Sequence, residues 1–127
     1  MKKQVAVGLL IAGLIYAFPA LAAGALDGKT FAGQVGEKGQ ANAVADNFVF
    51  TNGKFASTLC SQFGYGEGVY KTTGAKDAVH FTAETTSQAG GKKDWQGTVK
   101  GEVIEGVATT VENGQTSQQW FKGTLKR

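Results

Sequence analysis

Nucleophiles and metal ligands are scarce in this chain. It holds one cysteine, Cys60, and one histidine, His80. A zinc centre draws on several Cys, His or carboxylate ligands at close spacing, and this pair supplies no such set, so no metal site is expected. A Ser-His-Asp relay needs its histidine within reach of both partners. His80 alternates with Phe81; if Phe81 turns inward, His80 points outward with Thr82 and Glu84. No catalytic residue is assigned, and the chain reads as a non-enzyme. Gly64-Tyr65-Gly66-Glu67-Gly68 alternates glycine, but a phosphate cradle sits between a strand and a helix and no helical pattern follows, so no cofactor is expected. Exported chains that depend on disulfides carry an even set of cysteines. Cys60 is therefore a free thiol, either inert in the core or able to pair or bind.

Binding, if there is any, falls to the aromatics. Phe63, Tyr65 and Tyr70 gather around the glycine-rich segment near Cys60, and loops at a barrel mouth commonly carry function. They are the candidate contacts for a protein partner. A second set, Phe48, Phe50, Phe55, Phe81, Trp95 and Phe121, falls on one face of alternating segments. These rings either fill a core or line an apolar cavity for one small hydrophobic molecule. Thr110, Ser117 and Gln119 share that face at one end, as a polar floor for a ligand or a solvated rim.

The elements that position these residues are strands. After residue 23 the chain runs in short segments of period-two alternation separated by Gly, Asn and Asp, which is the strand pattern. Eight strands are predicted, at 29–36, 46–51, 54–61, 67–73, 78–87, 93–100, 103–112 and 115–126. Asn52-Gly53 and Asn113-Gly114 supply the positive φ angles of type I′ hairpins, and Gly101-Glu102 makes a third tight turn. Those turns set the register: Phe50 opposite Phe55, Phe48 opposite Ser57, Val99 opposite Ile104, Trp95 opposite Ala108, Gly106 opposite Phe121. Leu59 joins the face of Phe48 and Phe55, while Trp120 falls outside near Val107. Lys92-Lys93, after Gly90-Gly91, reads as a solvated loop.

One pattern recurs: Phe31-x-Gly33-x-Val35, Trp95-x-Gly97-x-Val99 and Phe121-x-Gly123-x-Leu125, with Ile104-x-Gly106-x-Ala108 a fainter copy. Inward glycines let a sheet coil and close. Copies lie in the first and last predicted strands, and pairing those strands would leave no open edge. The expected fold is an all-β, eight-stranded antiparallel up-and-down barrel. This alternation and meander resemble the calycin-like barrels, the broad group of lipocalins and avidins. The resemblance covers roughly 29–126 and implies a fold; no binding residue of those families maps onto this chain. Gly66-Glu67-Gly68-Val69-Tyr70 also resembles, in part, the Ser-Gly-x-x-Tyr signature of bacterial lysozyme inhibitors.

The N-terminus supplies the compartment. Met1-Lys2-Lys3, an apolar run from Val5 to Phe18 and Pro19-Ala20-Leu21-Ala22-Ala23 have the form of a cleavable signal peptide. Residues 1–22 are expected to be removed, leaving one domain over 23–127 that is periplasmic or secreted, with no stable membrane insertion. Without Lys2 and Lys3, 11 basic residues face 10 acidic ones, a formal charge of +1. Such a balance offers no basic stripe for nucleic acid. The expected function is that of an exported barrel binding a small apolar molecule in its interior. Two alternatives stand beside it: an interaction protein, such as a periplasmic inhibitor of a lysozyme or protease acting through its loops, and a purely structural exported subunit.

Overall fold

The computed structural model describes residues 24–75 and 77–127; the expected signal peptide lies outside them. Eight strands follow in chain order: β1 (Thr30–Glu37), β2 (Ala43–Thr51), β3 (Lys54–Ser57), β4 (Gly68–Ala75), β5 (Ala78–Thr86), β6 (Lys92–Lys100), β7 (Val103–Glu112) and β8 (Gln115–Leu125), with one helical turn, α1 (Thr58–Ser61), after β3. Each strand pairs antiparallel with the next, and β1 pairs with β8, closing the barrel. Asn52 and Gly53 have φ of 53° and 77°, and Asn113 and Gly114 have 52° and 76°, as type I′ hairpins require. The registers that follow are the predicted ones: Phe50↔Phe55 and Phe48↔Ser57, Val99↔Ile104 and Trp95↔Ala108, Gly106↔Phe121 and Val107↔Trp120.

Closure depends on two pairs of glycines that face each other across strands. Gly33 sits opposite Gly123 at the β1–β8 seam, and Gly97 opposite Gly106 between β6 and β7. A Cβ on Gly33 would lie 2.6 Å from the Gly123 Cα, and one on Gly97 would lie 2.6 Å from Phe81 and 2.8 Å from Phe121. Bare backbone at these points lets strands approach and leaves room inside for rings.

The rings fill that room. Phe31, Phe48, Phe50, Phe55, Phe81, Trp95 and Phe121 are all fully buried. Trp95 lies 4.9 Å from Phe55 and 5.3 Å from Phe121, centroid to centroid, and Phe50 lies 5.1 Å from Phe81. At such spacings neighbouring aromatics touch, so the lumen at this level is a packed core. One end of the barrel is plugged. Leu26 is buried there and donates its N–H to the Tyr70 hydroxyl at 2.9 Å. That hydroxyl donates to Asp27 at 2.7 Å, and the Asp27 carboxylate accepts the Gly53 N–H of the first hairpin at 2.9 Å.

Three expectations need correction. β2 begins at Ala43, three residues before the predicted start, because Val44 and Ala43 continue the ladder to Val35 and Gly36. β3 stops at Ser57 instead of running to 61. The Ser57 side chain accepts the Cys60 N–H at 3.1 Å and caps a helical turn; side chains of this type compete with the sheet ladder for backbone donors. Leu59 therefore leaves the face of Phe48 and Phe55, and Cys60 turns inward. Lastly, Lys93 is not in a solvated loop but buried on the inner face of β6.

Candidate functional site

The end opposite the Leu26 plug is open, and the polar inward residues collect there. β3 and β4 share only two residue pairs, Lys54↔Val69 and Phe55↔Gly68. Above them the strands part, and α1 with the segment to Glu67 takes the place of a ladder. Asp46, inward on β2, anchors that segment. Its carboxylate accepts the Ser57 hydroxyl at 2.5 Å and the Leu59 N–H at 2.9 Å. Removing a buried acceptor leaves its donors unmatched, so Asp46→Ala is expected to cost about 1–3 kcal/mol. It should also raise the rate at which a thiol reagent labels Cys60, because α1 loses its anchor. An unchanged labelling rate would show that α1 holds without it.

A cavity of about 530 Å³ opens at this mouth, lined among others by Val35, Glu37, Val44, Leu59, Cys60, Phe63, Tyr65, Lys93, Thr110, Glu112, Ser117 and Gln119. The central feature is Lys93, which sits two residues before Trp95 and so shares its inward face. Its Nζ donates to the Cys60 sulfur at 3.3 Å. The same Nζ lies 5.3 Å from the Trp95 ring and 5.7 Å from the Tyr65 ring, cation–π distances. Around it the polar groups are matched: Thr110 donates to Gln119 at 2.8 Å, Gln119 donates to Ser117 at 3.1 Å, and the Trp95 indole donates to Thr85 at 3.2 Å.

The aromatic residues singled out from the loop separate. Phe63 stands at the mouth, 72% exposed. Tyr65 is buried against Lys93, bridged to Ser87 by an isolated β-contact, and donates to Glu112 at 2.5 Å. Tyr70 lies at the plugged end, apart from both. The six inner rings lie together beneath the cavity, and Cys60, a free thiol, lines it. Thr110 and Gln119 are buried in the floor, while Ser117 stays exposed. His80 is outward, 2.9 Å from the Thr98 hydroxyl. Among the described residues no three His, Cys, Asp or Glu side chains converge as metal ligands.

No known protein family, curated protein or solved structure matches this chain. The mouth itself supplies the chemistry: a thiol, an ammonium and two carboxylates around a mainly apolar cavity.

Both described tyrosines carry a signature that solution measurements can read. Burial, then the bond to Glu112, pushes the Tyr65 phenol up to about 12. Burial, then the bond to Asp27, does the same for Tyr70, also to about 12. A phenol held protonated in the fold while the unfolded chain ionises near 10 favours the folded state below pH 10. That contribution is lost as pH climbs from 10 towards 12. The melting temperature is expected to fall across that interval, and phenolate absorbance of the folded barrel to rise near pH 12 rather than near 10. Titration of both phenols near 10 in the folded chain would contradict their burial.

Proposed function

We propose that the protein is an exported, non-enzymatic barrel that binds a small molecule with an apolar body, and that the binding seat is the mouth of the barrel. The observation that carries this reading is the cavity of about 530 Å³, a volume in the range of small-molecule sites, set directly above rings too tightly packed to admit a guest. Exposed Val44 and Phe63 on its rim are surfaces that a ligand would cover. The closed eight-stranded meander supports kinship with the calycin-like barrels, and the N-terminal pattern supports export to the periplasm or beyond.

Native mass spectrometry of protein recovered from the extracytoplasmic fraction of a bacterial host tests all parts together. The expected species begins at Ala23 and carries one small-molecule adduct that dissociates on activation. Protein stripped of the adduct should take up the hydrophobic dye anilinonaphthalene sulfonate, and a bulky label on Cys60 should block the uptake. No adduct and no uptake would end this reading.

The exposure of Phe63 also favours a second one, an interaction protein that inhibits an exported lysozyme or protease through its loops. In that case Phe63→Ala weakens a complex with a purified enzyme of that kind. Failure to bind any member of such a panel removes the alternative.

A further inference from the structure

The mouth contains a buried cation, Lys93, that no carboxylate among the described residues meets in an ion pair. Lys93 is 8% exposed, and the only hydrogen bond from its Nζ to a described residue goes to the Cys60 sulfur. An ammonium has three donors and a thiol is a weak acceptor. The Tyr65 and Trp95 rings offset part of the desolvation, but they take no N–H in the manner of an oxygen. Burying a charge is costly unless it is paired and hydrogen-bonded. Here the unpaired ammonium lines an open cavity, so a ligand can supply the missing charge.

We propose that Lys93 seats the headgroup of a monoanionic ligand, a carboxylate on an apolar body that enters head first. This rests on the mouth-binding reading and names the ligand class. The direction of entry follows from packing. Trp95 closes the lumen beneath Lys93, so the body must extend back towards Val44, Leu59 and Phe63. The single charge follows from electrostatics. Glu37 and Glu112 line the same cavity. Glu112 is held by Tyr65 and Glu37 faces the Gln119 amide at 3.4 Å. A second negative charge on the ligand would stand against these carboxylates; both are solvent-exposed, so the repulsion is screened by salt and strongest at low ionic strength.

Four probes with one chain length separate the terms: decanoate, decanol, decyl phosphate and decylamine, each titrated calorimetrically into the purified protein below its micelle concentration. Decanoate is expected to bind about tenfold or more tighter than decanol, the scale of one charge-assisted hydrogen bond, and to keep a smaller advantage over decyl phosphate that shrinks as salt is added. Lys93→Met should abolish the preference for decanoate over decanol, with Lys93→Gln as a second neutral variant should the first misfold. Glu112→Gln, whose amide oxygen still accepts from Tyr65, should narrow the gap between decanoate and decyl phosphate. Equal binding of decanoate and decanol, a preference for decylamine, or a decanoate preference that survives loss of Lys93 would overturn the headgroup assignment while the mouth stays a binding seat. Binding of none of the four would overturn the seat as well.

Discussion

Trp95→Ala is expected to cost about 3–5 kcal/mol, the range for deleting a buried aromatic. The ring is 1% exposed and sits at the junction of the core and the mouth. Below it are Phe48 at 6.1 Å, Phe55 at 4.9 Å and Phe121 at 5.3 Å; above it lies the Lys93 ammonium. Its indole N–H is matched by Thr85, so deletion also leaves that hydroxyl without its donor. The cavity created has closed walls on β5 and β7, where Ala83 and Ala108 are opposite Trp95 and too small to collapse into it. Domains of this size are stable by only about 5–15 kcal/mol, so a large share of the total is at stake. Urea denaturation monitored by far-ultraviolet circular dichroism measures it. A loss under about 1 kcal/mol would mean that the residue is not where the ladder places it.

Gly106→Ala is expected to be at least as damaging for its size, with a loss of about 3 kcal/mol or more, at or above the upper range for overpacking. The added methyl would collide with the backbone oxygen of Gln96, lie 2.6 Å from the Gly97 Cα and lie 2.8 Å from the Phe121 ring. A flexible side chain could move aside, but two of these three obstacles are backbone within a paired ladder. Relief requires β6 and β7 to separate, which breaks the Gly97↔Gly106 pairing. Gly53→Ala serves as a control, since nothing lies within 4 Å of a Cβ there and its loss would reflect only the positive φ. The same denaturation experiment decides the matter: a Gly106 variant as stable as the parent would show that the strands have slack at this crossing.

The hairpins and the inner rings were legible because local chemistry dictates them. Asn-Gly at 52–53 and 113–114 fixes turn type, turn type fixes register, and register sorts Phe48, Phe50 and Phe55 from Val49 and Ala56. Closure was legible because the aromatic–Gly–aliphatic pattern appears in both terminal strands. The mouth was harder to read. Lys93 lies two residues before Trp95 and Asp46 two before Phe48, so alternation alone places both inward. Their charge argues the other way, because Lys and Asp are rarely buried: Lys93 reads as part of a solvated loop, and Asp46, the first residue of the predicted strand 46–51, is assigned to neither face. Strict alternation would have found both. α1 carried a fainter signal: Ser57 and Thr58 can cap a turn, but the acceptor that completes it is Asp46, a residue 11 positions away in sequence. Tyr70 was grouped with Phe63 and Tyr65 by proximity along the chain, whereas its partner Asp27 comes from a segment 43 residues distant.

The seam between β1 and β8 has a consequence for the order of folding. It joins Phe31 to Leu125 and Glu37 to Gln119, so the ring cannot shut until the final residues of the chain are free to move. The other seven ladders join consecutive strands and can form locally, whereas a pairing this distant in sequence is slow to form because loop closure must come first. A chain threaded through a translocation pore from its N-terminus would remain unclosed for the whole passage, with its first strand waiting on the far side for its last.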